Sequence, residues 1–240
     1  MISTAFILAA GFGTRMRPWT DLYPKSMLTL VKTPLILWHL EQLFHLGVRH
    51  FLINTHHLSY KFQSFLQFHF ESFSERGARM TILEEKEILG TGGALFQMEE
   101  HLTEENFFLL NSDIIHRIDL KEVASFHESQ APISTLVLKR TDDPSWKRVA
   151  LGQDGYVTVL GKNVFTKQPG EISYGFTGIH VLHRKIFSYC EKYSCIVNDL
   201  YPKAVKNGEK ILGFETKDYW RDIGSPESFA EAHRDIIKVF

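Results

Sequence analysis

The sequence Ala5–Thr20 is AFILAAGFGTRMRPWT, an apolar run that ends directly in a glycine-containing loop. A short apolar run bounded by glycine is typical of a strand that is buried on both faces of a sheet. In open α/β sheets ligands bind beyond the carboxyl ends of the strands. The segment therefore predicts the first strand of an α/β sheet, with functional residues in the loop that follows it.

The chain after this loop alternates between helical and strand-like segments. Leu35–Leu46 has helical spacing, and Thr33 and Pro34 predict its start with a hydroxyl N-cap and a proline at the first helical position. The strand-like segment His50–Asn54 follows. This order predicts parallel strands joined by right-handed crossovers, with helices on both faces. Beyond residue 132 strand-like segments follow one another, which predicts antiparallel pairing there.

Composition and charge exclude several classes of function. The 240 residues are 44% hydrophobic and 23% charged, and their net charge of −1 gives no field that would attract nucleic acid. Cys190 and Cys195 are too few for a disulfide framework. The apolar run Ser3–Ala10 is too short to span a bilayer, which needs about 20 residues. We therefore expect a cytoplasmic protein with neither a nucleic-acid nor a membrane partner.

The loop after the first strand has the composition of a phosphate-binding site. Gly11 and Gly13 allow backbone N–H groups to approach an anion closely. Met16 stands where a dinucleotide-binding fingerprint needs a third glycine, and the sequence lacks the spacing of a Walker A loop. Arg15 and Lys25 add cationic side chains, so the segment predicts a pocket for a triphosphate.

Two neighbouring segments carry a family resemblance: LAAGFGTRMRPWT at residues 8–20 and YPKSMLTLVKTPLI at residues 23–36. They resemble the signature of the sugar-1-phosphate nucleotidylyltransferases, also called NDP-sugar pyrophosphorylases. The resemblance implies a Rossmann-like (GT-A-like) three-layer α/β/α sandwich with a mixed, mainly parallel sheet and a small antiparallel acceptor-binding lobe. It also implies one catalytic domain over residues 1–240. Nucleotide binding is expected in about 1–130, sugar-phosphate binding in about 131–225 and a C-terminal helix at 225–239.

The resemblance assigns nucleotide-binding residues in two places. In the glycine loop they are Leu8, Ala10, Gly11, Gly13, Thr14 and Arg15. The segment LGTGGA at residues 89–94 resembles the base-binding segment of the family, so Gly90, Thr91 and Gly92 are expected to contact the base. Glu87 lies in a stretch similar to that of mannose-1-phosphate guanylyltransferases, and its carboxylate can accept two N–H groups of a guanine edge.

Two distant aspartates complete the predicted active site. Asp113 ends the triplet Asn-Ser-Asp after a buried strand, and Asp222 lies in WRDIGSPE, which resembles the segment that supplies the family's second metal carboxylate. The resemblance implies that both aspartates hold Mg²⁺ and that Arg15 and Lys25 bind phosphates, which makes all four catalytic. In the implied reaction an oxygen of a sugar-1-phosphate attacks the α-phosphorus of a nucleoside triphosphate, and pyrophosphate leaves.

The acceptor region departs from the family pattern. The expected sugar-phosphate contacts are Asn111, Lys162, Tyr174, Thr177 and Gly178. The sequence has Gly-Lys-Asn around Lys162 where many relatives have Glu-Lys-Pro, and Phe-Thr-Gly around Thr177 where they have Asn-Ala-Gly or Asn-Thr-Gly. The latter segment looks like the branch that uridylylates N-acetylmuramic acid 1-phosphate. Two substrate hypotheses therefore stay open: GTP with mannose- or heptose-1-phosphate, and UTP with N-acetylmuramate-1-phosphate or glucose-1-phosphate.

Two further hypotheses on activity also stay open. A cytidylyltransferase for phosphocholine would have the same fold. A catalytically silent regulatory subunit is a different class, and the retention of two metal carboxylates together with Arg15 and Lys25 argues against it. An active enzyme of the resembling family would serve nucleotide-sugar biosynthesis for cell-envelope polysaccharide.

Aromatic and histidine residues give the remaining predictions. The helical segment Ser59–Phe70 and the residues after it carry phenylalanines that are expected to form core packing or the contact of a homodimer. His56, His57 and His116 are expected to have structural or surface roles, because adjacent histidines on a strand point to opposite faces and cannot easily share one metal ion.

Overall fold

The computed structural model describes residues 2–141, 146, 148–165 and 172–239. Its strands are β1 (Thr4–Leu8), β2 (Thr29–Leu30), β3 (Thr33–Pro34), β4 (His50–Thr55), β5 (Arg79–Glu84), β6 (Asn106–Asn111), β7 (Ile114–His116), β8 (Ser134–Arg140), β9 (Arg148–Leu151), β10 (Val157–Leu160), β11 (Asn163–Val164), β12 (Ile172–His183), β13 (Ile211–Thr216) and β14 (Trp220–Asp222). Its α-helices are α1 (Trp19–Leu22), α2 (Leu35–Leu46), α3 (Ser59–Ser74), α4 (Gly90–Met98), α5 (Leu120–Gln130), α6 (Tyr201–Lys206) and α7 (Pro226–Val239).

Shorter turns connect some of these elements. The 3₁₀ turns are Thr14–Met16, Lys25–Met27, Glu99–His101 and Arg184–Tyr189, and a single π-helical turn lies at Ile196–Leu200. In the described part of the chain, no helix is long and apolar enough to cross a membrane.

The chain forms two compact units, and each is built from separate stretches of sequence. The parallel unit comprises Ser3–Ile88, Leu110–Arg117 and Tyr219–Phe240. The antiparallel unit comprises Met1–Ile2, Leu89–Leu109 and Ile118–Asp218. The parallel unit therefore contains the glycine loop together with Asp113 and Asp222.

Three parallel strands form the sheet of the parallel unit. β4 pairs with β1 from Thr4↔His50 to Leu8↔Asn54, and it pairs with β5 on its other side. Every residue of β4 is buried, as expected for the central strand of a parallel sheet. Helices α2 and α3 are the crossovers between these strands. The predicted alternation of strand and helix is confirmed for this part of the chain.

Helix α2 starts differently from the prediction and ends as predicted. Thr33 and Pro34 form β3, which pairs with β2, so Thr33 is not the hydroxyl N-cap. The N-cap is Pro34, and no side chain caps the helix. The prediction was wrong because pairing with β2 holds both residues in an extended strand outside the helix. Gly47 terminates α2 in the left-handed conformation, with φ 110°.

The phenylalanines of α3 divide between core and surface. Phe62, Phe70 and Phe73 are buried, and the ring of Phe73 lies 5.4 Å from that of Phe44 in an edge-on contact. Phe68 is 76% exposed. Core packing is thus confirmed for the three buried rings, while a homodimer contact stays a prediction that would involve Phe68.

The antiparallel unit is organised around the long strand β12. It pairs in antiparallel fashion with β8 on one side and with β9 on the other. β10 and β11 continue from β9 as antiparallel neighbours, and β13 joins β8 in parallel. Antiparallel pairing beyond residue 132 is therefore confirmed, as is an α/β fold with a mixed sheet.

Candidate active site

The glycine loop after β1 is held in shape by Gly13. Its φ of 62° is left-handed, and a Cβ atom there would lie 2.9 Å from Cγ2 of Thr20. The Gly13 carbonyl accepts hydrogen bonds from the backbone N–H of Met16, at 2.8 Å, and from the Thr20 hydroxyl, at 2.9 Å. Gly11 differs, because a Cβ there would meet no described atom within 4 Å. Gly13 is thus needed for the loop itself, whereas Gly11 leaves open space beside the backbone.

Met16 anchors the loop in the core of the parallel unit. The residue that stands in place of a third glycine is fully buried, in a cluster with Leu28, Leu35, Ile115 and Ile223. The last two residues belong to the segments that carry the two aspartates. One apolar cluster therefore ties the glycine loop to both aspartate segments.

Two adjacent histidines hold the loop from its other side. His57 Nε2 donates to the Thr20 carbonyl at 2.6 Å, and His56 Nδ1 donates to the Glu85 carbonyl at 2.7 Å. The half-exposed ring of Phe12 lies edge-on to His56, with 5.2 Å between ring centroids. These contacts give both histidines a structural role, as the sequence predicts. The same holds for His116, which is buried on β7 with its pKa lowered to about 3 by burial.

A short antiparallel ladder brings the two distant aspartates together. β14 pairs with β7 so that Asp222 lies opposite Ile114, the residue that follows Asp113. The backbone N–H of Ile223 donates to the Asp113 carbonyl at 2.7 Å. Backbone hydrogen bonds between β7 and β14 therefore place the two aspartates next to each other.

Two cationic side chains meet these carboxylates. Lys25 Nζ donates to Asp113 Oδ2 at 2.7 Å, and its side chain is only 11% exposed. Arg15 and Asp222 converge above Gly224: a Cβ atom on this glycine would lie 2.2 Å from Asp222 Oδ2 and 2.7 Å from an Arg15 guanidinium nitrogen. The structure thus brings together all four residues that the sequence predicts to be catalytic.

The charges of this group act on Asp222. Burial raises the pKa of the Asp222 carboxyl above its ordinary value, and the nearby Asp113 carboxylate raises it further. Lys25, Arg15 and an N–H of Gly224 act in the opposite direction. Two carboxylates that repel each other in a partly buried place are stabilised by any cation that binds between them.

The donor set of this site fits Mg²⁺. Mg²⁺ prefers carboxylate oxygens and commonly takes one or two of them, with waters and substrate phosphates as its other ligands. In the part of the chain that the structure describes, no group of three or more His, Cys, Asp or Glu residues could hold a metal ion. A pair of carboxylates is suited to a hard cation that arrives with phosphate.

Two buried polar pairs near the site have no counterpart in the sequence-based prediction. Ser26 Oγ and Ser112 Oγ are 2.8 Å apart, each next in sequence to a catalytic candidate. Asn54 accepts from the backbone N–H of Ala9 at 2.7 Å and donates to Glu85 at 2.6 Å, where Glu85 is 3% exposed. The only local signal for Asn54 is a polar residue at the end of an apolar strand.

The other predicted nucleotide contacts lie in different settings. Glu87 is exposed, in contrast to the buried Glu85. Leu8 is the last residue of β1, with Ala10 two residues later, and the exposed Thr14 begins the 3₁₀ turn of the loop. These residues, apart from Glu87, flank the same loop end of β1.

The glycines of the predicted base-binding segment pack closely within the antiparallel unit. Gly90 has a left-handed φ of 77°, and a Cβ there would lie 2.5 Å from the Ser194 carbonyl oxygen. Gly92 donates its N–H to that carbonyl at 2.9 Å, and the Thr91 hydroxyl accepts from Ile196 N–H at 3.0 Å. Close contact with the Ser194 segment is thus a structural reason for these small residues, and the sequence-based prediction did not include it.

Two of the five predicted sugar-phosphate contacts have hydrogen-bond partners inside the antiparallel unit. The Tyr174 hydroxyl donates to Glu215 at 3.0 Å, and the buried Thr177 hydroxyl donates to the Val137 carbonyl at 2.7 Å. Lys162 is exposed, and Gly178 has a left-handed φ of 81°. Asn111, the last residue of β6, belongs instead to the parallel unit, two residues before Asp113.

Comparison with known proteins places residues 4–239 under the model of one family, described as nucleotidyl transferase. The chain is 31% identical over 228 residues to mannose-1-phosphate guanyltransferase 2 of Candida glabrata, covering 93% of this chain and 62% of that protein. It is 29% identical to mannose-1-phosphate guanyltransferase of Saccharomyces cerevisiae, with the same coverage. The chain thus spans about three fifths of the length of these curated relatives.

A solved structure shows the same fold. The crystal structure of HddC from Yersinia pseudotuberculosis superposes with a TM-score of 0.79 at 22% sequence identity, covering 98% of this chain and all of that one. The α/β fold described above is therefore shared along nearly the whole chain.

Proposed function

Because the chain belongs to the nucleotidyl transferase family, we propose that it transfers a nucleotidyl group from a nucleoside triphosphate to a sugar-1-phosphate. The observation that carries this proposal is the convergence of Arg15, Lys25, Asp113 and Asp222 in the parallel unit, from three separate stretches of sequence. In the reaction an oxygen of the sugar phosphate forms a bond to the α-phosphorus. The bond from the α-phosphorus to its bridging oxygen breaks, and pyrophosphate leaves.

The roles of the four residues follow from their charges and places. Lys25 and Arg15 neutralise phosphate charge, and the backbone of Gly11, Gly13 and Thr14 supplies N–H donors beside it. Asp113 and Asp222 would hold Mg²⁺, which neutralises the charge that develops on the phosphate oxygens when bound. Such a reaction needs no protein nucleophile, because positioning and charge neutralisation supply most of its catalysis.

The identity of the substrates rests on two kinds of support. The relatives named mannose-1-phosphate guanyltransferase support GTP and mannose-1-phosphate, with Gly90, Thr91, Gly92 and Glu87 at the base. The acceptor region, with Lys162, Tyr174, Thr177, Gly178 and Asn111 as proposed contacts, keeps UTP with N-acetylmuramate-1-phosphate as the second candidate. The departure Phe-Thr-Gly around Thr177 is the observation that favours it.

The remaining expectations stand as proposals beside this one. Residues 1–240 act as a single catalytic domain, in the cytoplasm, in nucleotide-sugar biosynthesis for cell-envelope polysaccharide. The two free cysteines, Cys190 and Cys195, support a reducing compartment. The exposed ring of Phe68 supports a homodimer, which light scattering over a range of protein concentrations would test.

One assay tests the proposed reaction and its substrates together. Pyrophosphate release is measured with ATP, CTP, GTP, UTP and dTTP, each paired with several sugar-1-phosphates or phosphocholine, with Mg²⁺ or with EDTA. We expect the highest kcat/KM for GTP with mannose-1-phosphate and no turnover in EDTA. Preference for UTP with N-acetylmuramate-1-phosphate would select the second candidate, and CTP with phosphocholine would select a cytidylyltransferase. No release with any pair would contradict the proposal and favour a silent regulatory subunit.

A further inference from the structure

A buried pair of hydroxyl groups lies directly behind the charged site. Ser26 Oγ and Ser112 Oγ are 2.8 Å apart, and the two side chains belong to residues that are 1% and 5% exposed. Ser26 follows Lys25, and Ser112 precedes Asp113. The Lys25–Ser26 and Ser112–Asp113 segments therefore make two side-chain contacts, which are the ion pair of the site and the buried hydroxyl pair next to it.

The two contacts differ in how strongly they fix the backbone. Lys25 reaches Asp113 through four methylene groups, so many backbone separations would allow the same ion pair. A serine oxygen is one bond from Cβ, so a hydroxyl pair at 2.8 Å permits only a small range of separations. Since the pair is buried, water cannot easily replace either partner. Further backbone bonds hold each segment, from Ser112 N–H to the Leu8 carbonyl and from Leu28 N–H to the Lys25 carbonyl.

We propose that Ser26 and Ser112 are positioning residues of the active site, which set the place of the Lys25 ammonium group relative to the Asp113 carboxylate. The hydroxyl pair keeps Lys25 in reach of the phosphates even when the Asp113 carboxylate is occupied by another cation. Neither serine touches a substrate in this role; both act through their neighbours. The inference rests on the function proposed above for Lys25 and Asp113.

The test uses three variants of the full chain and a matched control. Ser26→Ala and Ser112→Ala each leave one buried hydroxyl without its partner, whereas the double variant removes both. Ser59→Ala removes the hydroxyl of another buried pair in the same unit, Thr55 Oγ1 with Ser59 Oγ at 2.9 Å. The control thus makes a similar chemical change at a serine that is not next in sequence to a charged residue of the site.

Two readouts separate positioning from stability. The first is the rate at which acetic anhydride labels Lys25 in metal-free protein, followed by peptide mass spectrometry and compared with the melting temperature. The second is the pair of steady-state constants kcat and KM for both substrates. The labelling rate needs no turnover, so it tests the inference even if the proposed reaction fails in the wild type.

In all three variants we expect acetic anhydride to label Lys25 about threefold faster or more, because the amine becomes more accessible to the reagent. We expect kcat to fall about tenfold, with KM within about twofold, since small displacements of catalytic groups reduce the rate of the chemical step. The double variant should melt at a higher temperature than either single variant, because it has no unpaired hydroxyl. Its labelling rate and kcat should nevertheless remain those of the single variants. Ser59→Ala should leave both at wild-type values.

Two outcomes would overturn the inference. One is a double variant that regains wild-type labelling and kcat together with its stability, because the serines would then act only through folding. The other is single variants that match Ser59→Ala in both readouts. Loss of pyrophosphate release in the wild type would instead contradict the proposed function, with the labelling result still deciding the role of the serines.

Discussion

The two units contain polar residues that are used in opposite ways. The parallel unit brings two carboxylates and two cationic side chains together, and burial, with the nearby Asp113 carboxylate, raises the pKa of Asp222. In the antiparallel unit, the hydroxyl groups of Tyr174 and Thr177 already have hydrogen-bond partners within the unit. The first arrangement is electrostatically costly until a ligand binds, and the second is satisfied without one.

Family motifs predicted functional residues in both units, and the structure shows that the two sets have different surroundings. A cluster of two neighbouring carboxylates with cationic side chains beside them is what a site for a metal and phosphates requires. A satisfied hydroxyl on a strand is what a stable sheet requires. Substitutions in the charged cluster of the parallel unit should therefore change turnover, and substitutions of the hydrogen-bonded hydroxyl groups of the antiparallel unit should change stability first.

The largest effect that would test this comparison is expected at Lys25 and Asp113. Lys25→Ala and Asp113→Ala should each lower kcat about 100-fold or more, because each removes a charge that stabilises the transition state. Lys206→Ala and Asp154→Ala are controls at exposed positions of the antiparallel unit and should stay within about twofold. Pyrophosphate release measures turnover, and circular dichroism verifies the fold. Near-normal turnover of either first variant would remove the main support for the site.

A smaller effect on turnover is expected from Gly224→Ala. The added Cβ would lie 2.2 Å from Asp222 Oδ2, so the carboxylate and Arg15 must move apart. We expect kcat to fall about tenfold with little change in melting temperature. The contrasting control is Gly208→Ala, which forces a left-handed φ of 85° on alanine in the antiparallel unit. Gly208→Ala should lower the melting temperature and leave kcat unchanged. A lower melting temperature in Gly224→Ala together with a lower kcat in Gly208→Ala would contradict the difference between the two units.

The antiparallel unit should contribute to the pH dependence of stability through His127, beside the buried His39 and His116 of the parallel unit, whose pKa values burial also lowers. Burial, and then the nearby His183, lower the pKa of His127 to about 4, and its ring contacts Thr135 and Asn106. The unfolded chain takes up this proton near pH 6.5, so the stability from neutral His127 is present above that pH and is lost as the pH falls towards 4. His127→Gln should flatten urea-unfolding stability between these pH values.

The exposed His101 provides a control for the substitution itself. His101→Gln should change the free energy of unfolding at neutral pH by less than about 0.5 kcal/mol. If His127→Gln left the pH dependence of the unfolding free energy unchanged, other groups would be responsible for the loss of stability at acidic pH.

The smallest effect is expected at Thr177. Thr177→Val removes the donor to the buried Val137 carbonyl and should reduce the free energy of unfolding by about 1 kcal/mol. Urea unfolding measures the loss. Unchanged stability combined with a raised KM for the sugar-1-phosphate would show that this hydroxyl serves the acceptor and not the sheet.

Motif resemblance predicted four residues that the structure brings together in the parallel unit. Arg15, Lys25, Asp113 and Asp222 were each found in a short segment whose residue types carry their chemistry. Spacing predicted β1, β4, β5, α2 and α3 of the parallel unit from their apolar patterns. It did not predict α1 or the short strands β2, β3, β7 and β14, which are too short to show a pattern. The predicted start of α2 was wrong because Thr33 and Pro34 pair with β2, which holds them in an extended strand.

The supporting contacts could not be found in the same way. Ser26 and Ser112 are 86 residues apart, and nothing in either segment shows that their hydroxyl groups will meet. The same applies to Asn54 and Glu85, and to the glycines that lie against Ser194. Such pairs depend on how separate elements pack, and a short window of sequence carries no information about that packing.

The ladder between β7 and β14 also has a consequence for protein synthesis. Asp222 comes 109 residues after Asp113, so a ribosome adding about 5 to 20 residues per second needs roughly 5 to 20 seconds to make the second aspartate after the first. Throughout that interval the nascent chain holds the glycine loop, Lys25 and Asp113, but not the strand that completes the carboxylate pair. The growing polypeptide therefore has no finished carboxylate pair until 109 residues beyond Asp113 have been made.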